Sequence, residues 1–231
     1  MYWSSNSGRF IGQKNHRTGQ HQRHGKMSDI LEGYAKSATP EFIARYNELD
    51  CAEVYAPVLD LLPQTPVRIA DIGAGTGRDA AWFAAAGHRV LAVEPVKELR
   101  EPGMCQHISP NIEWLDDKLP TLSKAQNYGR FDLITLCGVW QHIEHRDRQL
   151  AMLSLGSMAA SGGKMVMSLR HGPAPLDRPL FSICPDETIE RAKQCGFSLL
   201  RRVETGSIQA DNRALGVNWT WLAFQMTDPS I

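Results

Sequence analysis

The chain has 231 residues, 42% hydrophobic and 22% charged, with 25 basic and 25 acidic residues and therefore no net charge. These values are typical of a soluble globular domain, and no apolar run approaches the roughly 20 residues that a membrane helix needs. The first 26 residues hold five basic and no acidic residues, so the remainder is acidic and offers no basic face for nucleic acid. Five cysteines without a C-x-x-C pair indicate reduced thiols in a cytoplasmic protein, not a disulfide framework or a zinc ribbon.

The N-terminal segment differs from the rest of the chain. Residues 1–26 show no hydrophobic period and are rich in Gln, Gly, His, Asn and Ser, a composition that predicts a disordered leader. The segment lacks the apolar core of a secretory signal, and Met27 is a candidate natural start. We expect one domain over 27–231, with a helical cap at 27–63 and the core at 66–228.

Residues 28–63 predict one or two helices. Thr39 is a candidate N-cap before Pro40, and apolar residues follow at helical spacing as far as Leu62, where Pro63 ends the pattern.

Strand and helix patterns alternate from there to the C-terminus. Strands are predicted at 67–72, 88–94, 111–115, 131–139, 164–170, 197–204 and 217–226, and helices at 77–87, 147–160 and 186–196, the second of these closed by a pair of glycines. This alternation predicts a doubly wound α/β fold, a mostly parallel sheet with helices on both faces. No helix is predicted between the last two strands, which favours an antiparallel hairpin at the sheet edge.

The first strand runs into the glycine loop DIGAGTGRD. Glycines permit a tight turn and let a ligand lie against the backbone, and ligands bind at the carboxyl ends of the strands in such sheets. The dinucleotide fingerprint G-x-G-x-x-G needs a glycine where Arg78 stands. The shorter loop therefore suits an uncharged adenosine with an amino-acid group better than a pyrophosphate. The loop residues expected to contact this cofactor are Asp71, Gly73, Ala74, Gly75 and Gly77.

Acidic residues follow the next two strands. Glu94 can accept hydrogen bonds from both hydroxyls of a ribose, as the acidic residue of dinucleotide folds does. Asp116 or Asp117 can receive the adenine amino group; we rank Asp116 first, and a solvated loop pair is the alternative. Three such features at three successive strand ends indicate an adenosine cofactor more strongly than any one alone.

These motifs together resemble the class I S-adenosylmethionine-dependent methyltransferases. VRIADIGAGTG is similar to the first motif of that family, Glu94 to its ribose acid, DDKLP to its adenine region, GRFDLITLCGVWQHI to its fourth strand and turn, and SGGKMVMSLR to its fifth strand. The resemblance spans about residues 40–226. It implies a seven-stranded Rossmann-like sheet with one antiparallel strand, S-adenosyl-L-methionine as cofactor, and in-line transfer of a methyl group.

The resemblance also locates the acceptor chemistry after strands four and five. His142 is the candidate to take a proton or orient the acceptor, and packing at a helix start is the alternative. Arg170 is the candidate to bind a substrate carboxylate or phosphate, with a surface ion pair as the alternative. Cys137 and Trp140 are expected beside the cofactor, although Trp140 also suits the core.

The stretch VWQHIEH holds His142, Glu144 and His145 within four residues, a density that suggests a metal site. The order H-E-x-x-H is absent and no third ligand is evident, so the stretch is interpreted as a turn and no metal is expected.

The expected activity is methylation of a small molecule at oxygen or nitrogen by a cytoplasmic monomer or homodimer, without a nucleic-acid or membrane partner. Neither N-P-P-Y nor D-P-P-Y, the amino-methylating signatures, follows the fourth strand. Two alternatives stay open. One is a non-catalytic regulator or partner subunit that binds the cofactor; the other is a nicotinamide-dependent oxidoreductase, disfavoured by Arg78 and by the lack of a recognisable Tyr-x-x-x-Lys pair.

Overall fold

The computed structural model describes residues 27–175 and 178–227, so the predicted leader lies outside the described residues. Seven strands form one sheet in the order β3-β2-β1-β4-β5-β7-β6, and β7 is the one strand that runs antiparallel to its neighbours. The predicted fold class is therefore confirmed. The strands are β1 Arg68–Ile72, β2 Arg89–Val93, β3 Ile112–Leu115, β4 Phe131–Cys137, β5 Ala159–His171, β6 Phe197–Gly206 and β7 Asn218–Met226.

Helices cover both faces of the sheet. One core layer packs the sheet against α6 and α7, and the other packs it against α3 and α4. No helix of the described ranges is long and apolar enough to cross a membrane. The helices are α1 Met27–Ser37, α2 Pro40–Asn47, α3 Cys51–Tyr55, α4 Arg78–Ala85, α5 Lys97–Gln106, α6 Arg148–Met158, α7 Pro185–Gln194 and α8 Ala210–Ala214, with 3-10 turns at Ala56–Leu61, Ala125–Tyr128, Trp140–His142 and His145–Asp147.

The N-terminal cap contains three helices instead of one or two. Thr39 caps α2 as predicted, because its hydroxyl accepts the Phe42 amide at 3.3 Å. The pattern to Leu62 is broken by Asp50, whose carboxylate accepts the Ala52 amide at 2.7 Å and thereby starts a new helix, α3. Hydrophobic spacing continues across this break, so it could not reveal it.

Three other elements differ from the predictions. Helix α5 was not foreseen because Pro102 interrupts its pattern and few of its residues are apolar. Helix α6 ends at Met158, and β5 starts five residues before the predicted Lys164, since Ala159 pairs with Phe131 ahead of a register shift in β4. The link between β6 and β7 contains the five-residue helix α8.

Candidate functional site

A cavity of about 550 Å³ lies between the carboxyl ends of the central strands and the cap helices α1 and α2. Its wall includes the loop 73–76 after β1, Glu94 after β2, residues 137–139 and 141–143 at the end of β4 and in the turn after it, and Arg170 at the end of β5. The segment 205–209, which leads out of β6, closes another side. The sheet therefore gathers most of the predicted site residues around one space.

The glycines of the loop serve different purposes. A Cβ built on Gly73 would lie 2.5 Å from a methyl carbon of Val139, and one on Gly77 would lie 2.5 Å from the Trp114 ring, so both glycines allow the protein to pack against itself. A Cβ on Gly75 would meet nothing within 4 Å, because this residue faces the cavity. All three have φ between 58° and 80°, a backbone region that residues other than glycine rarely adopt. Gly77 itself does not line the cavity, whereas Ala74 does.

Glu94 is held at the cavity wall by two backbone amides. Its carboxylate oxygens accept the N–H groups of Gly75 and Val96, each at 2.7 Å, and the side chain is 5% exposed. Burial raises the pKa of Glu94 to about 7, partly offset by these two hydrogen bonds. Each oxygen keeps a lone pair for one further donor, which is what a pair of vicinal ribose hydroxyls requires.

Asp71 lies behind the loop and does not line the cavity. Its Oδ1 accepts the Thr135 hydroxyl at 2.8 Å, and its Oδ2 has no hydrogen-bond partner among the described residues. Burial and then the charge of Asp79 raise the pKa of Asp71 to about 7. Asp79 is in turn bound by the Tyr55 hydroxyl at 3.0 Å and by Arg78. The Asp71 side chain therefore bonds to the neighbouring strand β4 behind the loop, and the expected direct contact with a cofactor has no geometric basis here.

The two candidate adenine acids face different ways. Asp116 is 59% exposed and lies 3.4 Å from Arg100, outside the cavity wall. Asp117 is buried at the wall, where its oxygens accept the backbone amides of Lys118 at 2.8 Å, Lys124 at 2.8 Å and Ala125 at 2.9 Å. The structure thus favours Asp117, in reverse of the predicted ranking.

Of the two residues expected beside the cofactor after β4, Cys137 lines the cavity and Trp140 does not. Cys137 lines the cavity, and its thiol accepts the Ser168 hydroxyl at 3.7 Å. Burial raises the pKa of Cys137 to about 12, so the thiol stays protonated. Trp140 is fully buried in the core, donates to the Thr188 hydroxyl at 3.2 Å and does not line the cavity. The alternative role of Trp140, a core aromatic, fits this position, and the adenine-wall role does not.

His142 meets the cap helix at the cavity wall. Its Nε2 lies 2.9 Å from the hydroxyl oxygen of Tyr34 in α1. Burial, followed by the charges of Arg178 and Arg170, lowers the pKa of His142 to about 4, so the imidazole is neutral at pH 7. His142 is thus buried at the cavity wall, where it contacts α1 and is affected by the charges of both arginines.

Two arginines line the same side of the cavity. Arg170 is partly buried, and its guanidinium donates to the Pro173 carbonyl at 2.8 Å. Arg178 lies with its guanidinium carbon 4.3 Å from the Tyr34 ring centre and 5.4 Å from that of Phe42. Burial lowers the pKa of Arg170, and the positive charge of Arg178 contributes in the same direction.

The histidines of the turn point apart. His142 faces the cavity, whereas His145 is 71% exposed and lies 3.3 Å from Glu187. Glu144 is partly buried and pairs with Arg146 at 3.0 Å. Within residues 27–175 and 178–227, no group of three or more His, Cys, Asp or Glu side chains is placed to hold a metal ion.

Several residues of the cavity wall were not among the site residues predicted from the sequence. Arg178 follows the predicted strand by eight residues and carries no motif, so only the tertiary fold brings it to Tyr34. The stretch 205–212 was treated as a turn-rich link, yet most of it lines the cavity. Its polar composition, with Ser207, Gln209 and Asn212, is common to loops and gave no usable signal.

Comparisons with known proteins agree with this arrangement. A family model described as a methyltransferase domain matches residues 20–226 of the chain. A search of curated proteins found no match.

Solved structures share the fold at low sequence identity. The 1,6-didemethyltoxoflavin-N1-methyltransferase of Burkholderia thailandensis, with bound 1,6-didemethyltoxoflavin and S-adenosylhomocysteine, is 19% identical over 87% of both chains, with a TM-score of 0.64. The phosphoethanolamine N-methyltransferase 2 of Haemonchus contortus is 15% identical over 88% of this chain and 61% of that chain, with a TM-score of 0.65. The magnesium protoporphyrin IX methyltransferase of Synechocystis is 16% identical over 87% of this chain and 83% of that chain, with a TM-score of 0.58.

Proposed function

Since the chain belongs to the methyltransferase-domain family and is an S-adenosylmethionine-dependent methyltransferase, we propose that it methylates a small molecule at an oxygen or nitrogen atom. One observation carries this proposal. The glycine loop, Glu94 and the residues after β4 and β5 all line one cavity of about 550 Å³, a size typical of sites that enclose small ligands. Of the similar structures, the Burkholderia enzyme holds a small heterocyclic compound beside S-adenosylhomocysteine.

The residues present fit S-adenosyl-L-methionine. Gly75 faces open space at the loop, and Glu94 has an unused lone pair on each oxygen for the ribose hydroxyls. We propose that Asp117 and the adjacent backbone of Lys118 and Leu119 contact the adenine, since all three line the cavity beside Glu94. Gly73 and Ala74 complete the loop face.

The cofactor, when bound, supplies a methyl group already activated on a sulfonium sulfur. The protein therefore needs mainly to align the acceptor with that methyl group and to exclude water, and alignment alone contributes about 7–11 kcal/mol in well-oriented systems. Helices α1 and α2 form the cover that excludes water. Tyr34 and His142 are joined by a hydrogen bond at the acceptor side and hold a nucleophile in place.

His142 is assigned here to orienting the acceptor and, for a hydroxyl or ammonium acceptor, to taking up its proton. With a pKa of about 4 the imidazole is neutral at pH 7, so Nε2 can accept the hydrogen bond of the Tyr34 hydroxyl, and the proton of the acceptor would reach His142 through that hydroxyl. Such a low pKa makes it a weak base in the ligand-free protein. A ligand that offsets the neighbouring positive charges of Arg178 and Arg170 would raise that pKa toward the operating pH.

The test is a transfer assay with S-adenosylmethionine that carries a labelled methyl group. The protein is incubated separately with a metabolite library, a protein extract and a nucleic-acid pool. Label in the metabolite fraction, lost on heat denaturation of the enzyme, is the expected result. Label confined to the protein or nucleic-acid pool would overturn the small-molecule proposal. The predicted cytoplasmic location and the monomeric or dimeric state are separate proposals, checked by fractionation and by light scattering.

A further inference from the structure

Two arginines, Arg170 and Arg178, place positive charge at the acceptor side of the cavity, and this charge indicates which class of acceptor the site binds. Arg170 is partly buried there, and no carboxylate of the described residues lies within 4.0 Å of its guanidinium nitrogens. The Arg170 guanidinium donates a hydrogen bond to a neutral group, the carbonyl of Pro173. Withdrawing a guanidinium from water without a counter-ion is costly, and a bound anion removes that cost.

A second positive charge faces the same space. Arg178 lines the cavity and acts on both Arg170 and His142, because its charge lowers the pKa of each. Like charges on one wall repel each other, and an anion bound by Arg170 would reduce the effect of the Arg178 charge on it. Five carboxylates line the cavity among the described residues, and none is ion-paired with Arg170; they are Glu53, Asp79, Glu94, Asp117 and Asp211.

The strand register fixes what stands beside Arg170. Residues directly opposite in antiparallel strands present neighbouring side chains on one face of a sheet. Arg170 of β5 is opposite Trp219 of β7, and Trp219 is opposite Thr205 of β6, so these three form a row across the sheet. All three line the cavity.

Trp219 connects this row to the end of β4. A Cβ built on Gly138, the first residue after β4, would lie 3.5 Å from the indole of Trp219. The Gly138 amide also donates to the Ser168 hydroxyl at 2.9 Å, and Ser168 precedes Arg170 by two residues on β5. Arg170 therefore lies about 7 Å farther along β5 than the contact with Gly138.

From this geometry we propose that the acceptor carries an anionic group, a carboxylate or a phosphate, bound by Arg170, and that its apolar or aromatic body lies against Trp219. The proposal rests on the function proposed above and names the acceptor class of that same site. A guanidinium binds either group through two parallel N–H donors, so the two oxyanions share one recognition chemistry.

A competing assignment gives Arg170 to the carboxylate of the cofactor itself. The two assignments differ in what binds while the cofactor site is filled. If Arg170 serves the acceptor, anions bind to the complex with S-adenosylhomocysteine. If it serves the cofactor, anions compete with S-adenosylhomocysteine, and loss of Arg170 weakens the binding of that compound.

The test titrates benzoate, phenyl phosphate and the neutral benzamide into the protein with and without S-adenosylhomocysteine, by calorimetry. At least one of the two anions is expected to bind the complex about ten-fold more tightly than benzamide, the effect of one charge-assisted pair. Which of the two anions is preferred identifies the group. Arg170→Gln should abolish the preference and Arg170→Lys should keep part of it. Arg89→Gln, a change at the exposed start of β2, is the matched control and should leave the preference intact.

His142 provides a second readout in the same samples. Its pKa, followed by NMR of labelled histidine, should rise when benzoate or phenyl phosphate binds, because the anion offsets the charges of Arg178 and Arg170. The Tyr34 hydroxyl of α1 lies 2.9 Å from the imidazole Nε2, and the backbone of Pro179 also forms a hydrogen bond that raises the pKa of His142. Benzamide should leave the pKa of His142 where it was.

Three results would overturn the proposal: equal binding of the anions and benzamide, an anion preference that survives Arg170→Gln, or displacement of S-adenosylhomocysteine by the anions. The outcome is separate from that of the methyl-transfer assay. An anion preference without any labelled metabolite would leave the anion site standing and refute the small-molecule methylation. Labelled metabolites without an anion preference would do the reverse.

Discussion

Glu94 allows the sharpest prediction about the cofactor site. Replacement by Gln keeps the size of the side chain and removes its charge. Each carboxylate oxygen accepts one backbone amide and keeps one lone pair, so the charged form can accept two ribose hydroxyls. Hydrogen bonds to a charged group are worth about 1.5–3 kcal/mol each. Loss of about 3 kcal/mol predicts an affinity for S-adenosylhomocysteine about 100-fold lower in Glu94→Gln.

Because the pKa of Glu94 is raised, both the affinity for S-adenosylhomocysteine and the stability of the ligand-free protein should depend on pH, in directions that can be stated. At about 7, this pKa makes the free carboxyl largely protonated at pH 6 and largely ionised at pH 8. Because the ionised form accepts the ribose hydroxyls, affinity should rise about ten-fold from pH 6 to pH 8. The ionised form is disfavoured by burial, so the same change in pH should lower the stability of the ligand-free protein as Glu94 loses its proton.

Calorimetric titration of S-adenosylhomocysteine at pH 6, 7 and 8 measures both effects. Glu98→Gln, at an exposed acid in the first turn of α5, is the matched control and should bind like the unaltered protein. Asp71 also titrates near 7, so Asp71→Asn is measured in parallel; its pH dependence should persist because Glu94 is unchanged. An affinity loss below five-fold in Glu94→Gln, or the same slope with pH as in the unaltered protein, would refute this account of Glu94.

Three further predictions concern the loop, the cap and the core. Gly73→Ala should lower the free energy of unfolding, measured in urea, by about 2 kcal/mol, because the backbone there is left-handed and the new methyl group would clash with Val139. Adding Val139→Ala to that variant removes the clash and should restore part of the lost stability. Tyr34→Phe removes one hydrogen bond to His142 and should lower kcat about five-fold without changing affinity for S-adenosylhomocysteine; an equal fall in affinity would assign Tyr34 to the cofactor instead. Trp140→Phe should destabilise the protein by about 2 kcal/mol and leave that affinity intact, whereas the opposite pattern would place Trp140 at the cofactor.

The sheet could be predicted from the sequence because its central strands β1, β2 and β4 are buried on both faces and are written as short apolar runs. All strands except β5 start and end within two residues of the predicted positions. The errors fall where a local interaction overrides the hydrophobic pattern. Asp50 starts a new helix inside a continuous apolar pattern. Pro102 lies in the interior of α5, where a proline removes one backbone hydrogen bond, and its presence therefore argued against a helix.

The site was predictable only as far as strand ends determine position. Glu94 follows β2 directly, and the glycine loop follows β1, so their places are fixed by the sheet itself. Asp116 and Asp117 are adjacent and face opposite ways, and sequence spacing could not choose between them. Trp140 turns into the core because its indole finds Thr188 of α7, a partner 48 positions away in the sequence. Arg178 and the 205–209 wall depend on how later segments return to the cavity.

The central claim is that cofactor and acceptor share this one cavity, with Glu94 at the ribose and Arg170 at the acceptor. A crystal structure with S-adenosylhomocysteine and whichever of benzoate or phenyl phosphate binds more tightly tests it most directly. We expect the ribose hydroxyls within hydrogen-bond distance of the Glu94 carboxylate, the sulfur facing the wall that Gly138 and Trp219 form together, and the anion on the Arg170 guanidinium. A ribose bound away from Glu94, or a sulfur facing away from Trp219, would contradict the account.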